Sequence, residues 1–144
     1  MPTASSVTPE FQLVTTYTYL DSKVVENGGV DERNRFVGAP EHTASLFGTY
    51  SVLEGPLSDL RLGGGMIFVG DRPVDGANEV LLDDYLVFDA FIGFEDQIEN
   101  GPSYRFQLTA KNVTGTEYYP YSFGTRNIGV GRPREVFLSA SIRF

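Results

Sequence analysis

The sequence predicts an all-β chain, an antiparallel up-and-down meander of about six strands. Three observations carry that expectation. Apolar and polar side chains alternate with a period of two along the chain, while helical spacing is hard to find. The alternating stretches, roughly 9–11 residues each, are long enough for a tilted strand to cross a bilayer. The links between them alternate long, short, long, short, long, and turn residues mark the short ones: Gly55-Pro56 in one, Asn100-Gly101-Pro102 in the other.

Each strand follows from its own pattern. Over 11–24, the more aromatic odd set Phe11, Leu13, Thr15, Tyr17 and Tyr19 stands against Gln12, Val14, Thr16, Thr18 and Leu20. Over 42–52, Ala44, Leu46, Gly48, Tyr50 and Val52 share a face. Over 60–69, Leu60, Leu62, Gly64, Met66 and Phe68 oppose Arg61, Gly63, Gly65, Ile67 and Val69. Over 85–94, Leu86, Phe88, Ala90, Ile92 and Phe94 form the apolar set, with Tyr85, Val87, Asp89, Phe91 and Gly93 behind them. The stretch 104–111 alternates most cleanly, with Tyr104, Phe106, Leu108 and Ala110 against Arg105, Gln107, Thr109 and Lys111. The last, 135–144, sets Val136, Leu138, Ala140, Ile142 and Phe144 against Phe137, Ser139, Ser141 and Arg143. The long links, about 25–41, 70–84 and 112–134, are polar and rich in Gly and charge. No internal repeat, low-complexity tract or domain linker interrupts the chain.

Composition narrows the function. The 144 residues carry 11 Lys+Arg and 19 Asp+Glu, a net charge of -8, which argues against a nucleic-acid partner. No Cys is present, so disulfides, thiolate metal sites and a Cys nucleophile are excluded. A single His argues against a His-based zinc site and against a Ser/His/Asp triad. No apolar run reaches the ~18 residues of a transmembrane helix. The N-terminal residues Met1 to Ser6 lack a basic stretch followed by an apolar core, so no secretory signal is expected there.

Alternation leaves two kinds of sheet open. A soluble barrel or sandwich binding a small apolar ligand alternates in the same way. A transmembrane barrel has a lipid-facing apolar band, aromatics near strand ends and a wet interior. Aromatics stand near the strand ends here, at Tyr19, Tyr50, Phe68, Phe94, Tyr104 and Phe144. The chain also finishes flush with an amphipathic strand: Phe144, Ile142, Ala140 and Leu138 are all apolar at alternate positions. That ending resembles the terminal assembly signal of bacterial outer-membrane barrels.

Five stretches, in order, sharpen the resemblance. They are Ala39-Pro40-Glu41-His42-Thr43; Gly65 through Asp71-Arg72-Pro73; and Tyr85-Leu86-Val87-Phe88-Asp89. Then come Lys111-Asn112-Val113-Thr114 with Glu117-Tyr118-Tyr119, and Gly131-Arg132-Pro133-Arg134-Glu135-Val136 leading to Ile142-Arg143-Phe144. Together they resemble the C-terminal part of TonB-dependent siderophore receptors, over residues 9–144. The resemblance implies the bacterial outer membrane, with ferric siderophore, outer-membrane lipid and the barrel assembly machinery as partners. It implies a plug domain and TonB in the full-length parent, whose barrel has about 22 strands. It implies no enzyme activity and no cofactor, iron entering only within the ferric chelate. Six strands fall below the roughly 8 of the smallest membrane barrels. The chain therefore reads as a fragment, inactive alone, with 1–8 a disordered or truncated lead-in and 9–144 the barrel segment.

The loop 112–134 carries the candidate substrate site. Tyr118, Tyr119, Tyr121 and Phe123 crowd together, followed by Arg126, Arg132 and Arg134. Aromatic faces and guanidinium groups suit a bulky, partly apolar and often anionic ferric chelate. Tyr121, Phe123, Tyr119 and Arg126 are the candidates; girdle and loop packing is the alternative for each. Asp71, Asp75, Glu79, Asp83 and Asp84 crowd one loop without the spacing of a calcium loop, so a solvated face is the simpler reading and no metal is assigned. His42 opens a strand beside a long loop, as an interfacial residue or a chelate contact. Gly63-Gly64-Gly65 is not followed by Gly-Lys-Ser/Thr, so it is no phosphate loop; small residues there favour close backbone approach. Asn112-Val113-Thr114 matches a glycosylation sequon, a weak signal. Arg61, Asp89, Arg105, Gln107, Lys111 and Arg143 are expected on the lumenal face. A turn centred near Asn100 is expected to bring Asp89 beside Thr109 or Lys111.

Overall fold

The computed structural model describes residues 3–6, 8–25, 32–98 and 101–144. Eleven strands occur among them: β1 Thr3–Ser6, β2 Phe11–Tyr19, β3 His42–Ser51, β4 Leu60–Val69, β5 Arg72–Pro73, β6 Leu81–Leu82, β7 Tyr85–Gln97, β8 Ser103–Lys111, β9 Tyr121–Ser122, β10 Ile128–Gly129 and β11 Glu135–Arg143. Seven of them form one sheet in the order β1-β2-β3-β4-β7-β8-β11, every neighbour antiparallel. The remaining four make two short hairpins, β5-β6 and β9-β10, inside the long links.

All six expected strands are present, with shifted ends. The stretch expected over 11–24 leaves the regular ladder after Tyr19. Beyond it Leu20 N–H donates to Glu41 O (2.9 Å), and Lys23 bridges Arg35, so the chain still returns alongside itself. β7 runs past the expected Phe94 because charged residues there find cross-strand partners: Glu95 meets Arg105, and Asp96 accepts from the Tyr104 hydroxyl at 2.8 Å. A seventh strand, β1, lies where 1–8 was expected as a disordered or truncated lead-in. Its backbone pairs Thr3 with Thr15 through Ser6 with Gln12, covering the edge β2 would otherwise expose. The turn expected near Asn100 lies outside the described residues.

The registers align one face across the whole sheet. Leu13 pairs with Gly48, Gly48 with Gly64, Gly64 with Ala90, Ala90 with Ala110, and Ala110 with Val136. Side chains alternate along each strand, so these pairs fix every other position. One face carries Leu46, Met66, Phe88, Ile92, Phe106, Leu108 and Leu138. It stays exposed, Leu138 to 71%. The opposite face carries Arg61, Asp89, Arg105, Gln107, Lys111 and Arg143, all six expected to share it. Asp89 and Lys111 meet there at 2.7 Å, the cross-strand pair the sequence led us to expect.

An apolar island interrupts the polar face. Phe91 lies over Gly63, and Phe47 over Gly65, where an added Cβ would overlap the aromatic rings. The two rings stack, 6.1 Å apart and 7° from parallel. Glycine is therefore needed at two places in β4 so that aromatics from both flanking strands can fold across it. The sheet buries little else. The most buried residues, Arg72, Pro73, Val74, Leu82 and Asn112, gather at the end with the long links, and Val87 lies nearby on β7.

Candidate functional site

Three long links leave the same end of the sheet, and side-chain-to-backbone bonds join them. Link 70–84 is central. Asp71 accepts from the Arg35 guanidinium, and Pro73 O accepts from Gly38 N–H at 2.8 Å. Asn78 accepts from Arg35 N–H at 2.8 Å and donates to Arg35 O at 3.0 Å, while the Asn34 amide donates to Gly76 O at 2.8 Å. These bonds fasten link 20–41 on one side. On the other side, Arg72 donates to Tyr119 O in link 112–134 and to Gly70 O at 3.2 Å. Its guanidinium lies 5.2 Å from the centre of the Tyr85 ring. Tyr85 in turn meets Tyr118, with ring centres 4.6 Å apart.

Link 112–134 is a folded hairpin rather than an open loop. Asn112 forms its base in a left-handed conformation (φ 47°). Its side chain accepts from Thr116 N–H (2.8 Å) and donates to Thr116 O (2.8 Å) and Arg132 O (3.0 Å), holding the outgoing and returning limbs together. Tyr118 covers Gly131, whose N–H donates to Tyr118 O at 2.7 Å. Tyr121 covers Gly129, and β9 pairs with β10. Gly124 makes the tip turn at φ 74°, the backbone geometry glycine adopts most readily.

The sequence-selected residues occupy this hairpin in different ways. Tyr121 and Phe123 meet edge to face at 5.7 Å, and Phe123 is 74% exposed. Arg126 is exposed in the tip. Tyr119 is exposed as a side chain, while its carbonyl is the one Arg72 holds. Tyr118 turns the other way, toward the polar face of the sheet. There it helps line a cavity of about 300 Å³ with Ile67, Val87, Phe137, Arg132 and the Asp89–Lys111 pair. Sequence reasoning missed Tyr85, Arg72 and Asn112 as organisers. All three stood in the motifs named above, but their roles depend on partners distant in sequence: Tyr119 O for Arg72, Arg132 O for Asn112 and Tyr118 for Tyr85.

The other candidates are placed as well. Asp71 is engaged by Arg35, and Asp75 accepts from Glu79 N–H at 3.1 Å, so part of the acidic cluster is tied into the loop itself. His42 sits on the apolar face, where Tyr17 shares a 2.9 Å hydrogen bond with its Nδ1 and the Tyr19 ring lies 5.2 Å away. Its partners are thus aromatics of the neighbouring strand β2. Leu138, Ala140 and Ile142 stay on the apolar face of β11, and Phe144 follows its last paired residue, fully exposed. Outside the sheet, Asp21 beside Lys23 (3.0 Å) raises the lysine's pKa above its usual value, by hydrogen bond first and by charge second.

Known proteins give this arrangement a family. Residues 4–113 match the family described as TonB dependent receptor-like, beta-barrel. A TonB-dependent receptor of Haemophilus influenzae is 29% identical over 96% of this chain and 43% of its own length. The ferrichrome outer membrane transporter/phage receptor of Escherichia coli is 29% identical over 97% of this chain and 19% of its own. Among solved structures, the ferric preacinetobactin receptor of Acinetobacter baumannii superposes with a TM-score of 0.88 at 21% identity, over 98% of this chain and 21% of that one. These relatives are receptors and transporters rather than enzymes, and this chain spans less than half of each. The match across most of the chain, together with the one-sided apolar sheet, places it in the TonB-dependent receptor β-barrel family, as a section of a bacterial outer-membrane barrel.

Proposed function

We propose that this segment serves a receptor for ferric siderophores, supplying part of the barrel wall and an outer loop that contacts the chelate. The observation that carries this reading is the hairpin 112–134. In it Tyr119, Tyr121 and Phe123 are exposed, and Arg126 at the tip is exposed as well. Aromatic faces and a guanidinium fit the apolar, often anionic surface of a ferric chelate. Relatives named for ferrichrome and ferrioxamine B support this substrate class. On this reading the apolar face meets lipid and the Asp89–Lys111 face lines the lumen. The rest of the receptor supplies the remaining strands, a plug and the contact with TonB, so the segment alone does not transport. It performs no covalent chemistry and holds no resident cofactor.

The terminal strand has a second role within the same proposal. Leu138, Ala140, Ile142 and Phe144 form the pattern that the barrel assembly machinery reads. Deleting Phe144 from the parent receptor should lower its folded amount in membranes while synthesis stays unchanged, measured by heat-modifiable mobility. Equal folded amounts would remove the signal role.

A soluble ligand-binding barrel is the other class of reading. Leu138 at 71%, Ile142 at 63% and Val136 at 61% exposure weigh against it, since a soluble sheet covers that face. The test of the main proposal is the Tyr121→Ala/Phe123→Ala double variant of the detergent-purified parent receptor, with folding checked separately. Loss of stacking should weaken ferrichrome or ferrioxamine B binding by about fivefold per aromatic, on the order of 1 kcal/mol each. If the double variant binds whichever chelate the wild type takes with unchanged affinity, both aromatics are packing residues.

A further inference from the structure

We propose that Arg72 is the positioning residue of the aromatic loop 112–134, and that Asp71-Arg72-Pro73 is the clasp coupling that loop to link 20–41. The inference rests on the reading of 112–134 as the chelate loop only for its functional consequence; the mechanical claim stands on geometry. Three consecutive residues reach in alternating directions. Asp71 takes the Arg35 guanidinium, Arg72 takes Tyr119 O, and Pro73 O takes Gly38 N–H. Links that are far apart in sequence thus meet on one short stretch leaving β4.

Arginine suits the central position. Its planar fork holds two carbonyls, Gly70 O and Tyr119 O, while its face rests on Tyr85. The group is only 3% exposed, and its Nε has no hydrogen-bond partner among the described residues. If Tyr119 O moved away, a buried cation would keep one carbonyl, Gly70 O. Leaving buried charge and donors unsatisfied is strongly unfavourable. The loop therefore moves with Arg72 or not at all. Because Tyr85 also meets Tyr118, a shift of the hairpin is felt at the top of β7 as well. A molecule that pushes on Tyr119 or Tyr121 displaces the clasp, and through Arg35 and Gly38 the neighbouring link.

The test is amide hydrogen exchange on the detergent-purified parent receptor, without ligand. Arg72→Gln should speed exchange across 117–123 by at least about tenfold, since those amides then open locally. Exchange in the wall peptides 60–69 and 104–111 should be unchanged. Gly38 N–H, held by Pro73 O, should stay protected, which separates loss of one tie from general unfolding. If Arg72→Gln does not assemble, Arg72→Lys keeps the charge but not the planar fork that spans two carbonyls, and should speed exchange over 117–123 without touching the wall. Unchanged exchange in 117–123, in whichever variant assembles, overturns the proposal. Ferrichrome and ferrioxamine B titrations on the same preparations test the functional reading separately. A loop released by the variant, with chelate binding as tight as in wild type, would leave Arg72 as the positioning residue and remove the chelate role of the loop.

Discussion

In the seven-stranded sheet, neighbours are joined by backbone ladders and both faces remain largely open; in the long links at one end, side chains bond to distant carbonyls and bury Arg72, Val74, Leu82 and Asn112. The two regions depend on different surroundings. The wall has almost no interior of its own, so its apolar face relies on lipid or detergent. The loop cluster has a small interior of its own, in which the buried Arg72 and Asn112 are held by backbone carbonyls. Changes in the wall should thus be felt through its environment and register, and changes in the loops through individual hydrogen bonds.

The sharpest way to break the comparison is to reverse one side of the wall. Leu108 and Gln107 are neighbours on β8 with opposite facing. In the parent receptor, Leu108→Arg puts a charge on the apolar face and should destabilise the folded barrel by about 2–4 kcal/mol near the bilayer midplane, while Gln107→Arg on the opposite, polar face should cost far less. Denaturant titration of both variants in lipid vesicles measures the difference. Equal losses would mean that the faces are assigned wrongly.

Register gives the next effect. At Gly65 a Cβ would meet Leu46 O, a backbone atom, and the Phe47 ring, so relief requires movement of β3 itself. Gly65→Val should lower wall stability by about 1–3 kcal/mol, as overpacking does, with the outer loops still protected from protease. A Gly65→Val barrel as stable as wild type would show that β3 and β4 are looser than these contacts imply.

A comparable but local loss belongs to the loops. Asn112→Ala removes three hydrogen bonds at the base of 112–134 and leaves Thr116 and Arg132 groups unpaired. The expected cost is about 1–3 kcal/mol of loop opening. Limited proteolysis should cut the hairpin faster while heat-modifiable mobility is unchanged. Wall and loop failing together would erase the distinction between them.

Much of the wall was legible in the sequence, and little of the loops. Period-two alternation needs only neighbouring residues, so the facing of Leu86 through Phe94 against Tyr104 through Ala110 could be read directly. Even the Asp89–Lys111 pair followed from turn position and period. β1 was missed because Thr3–Ser6 has no apolar alternation; its pairing is backbone to backbone. The loops looked polar and open. Their order comes from Arg72 reaching Tyr119, 47 residues away, and Asn78 reaching Arg35, 43 residues away. Composition carries no trace of such partners. Tyr121 and Phe123 could be singled out as an aromatic cluster, but not Tyr118 turning toward the polar face and Tyr85.

The smallest effect lies at the joint between the two regions. Asp89 belongs to the wall, yet one carboxylate oxygen takes Lys111 Nζ at 2.7 Å and the other takes Asn112 N–H at 3.0 Å. It thereby links the strand pair β7-β8 to the base of the hairpin. The Lys111 side chain is 47% exposed, so the ion pair is well screened and should couple by only ~0.2–1 kcal/mol. A double-mutant cycle with Asp89→Asn and Lys111→Met isolates that coupling, and it should shrink as salt rises. Asp89→Asn keeps an acceptor for Asn112 N–H, whereas Asp89→Ala does not. Asp89→Ala should therefore cost more than Asp89→Asn, and the excess should appear as faster amide exchange at 112–116 rather than in the strands. If the two variants exchange alike in 112–116, Asp89 serves the wall alone and the loops are anchored without it.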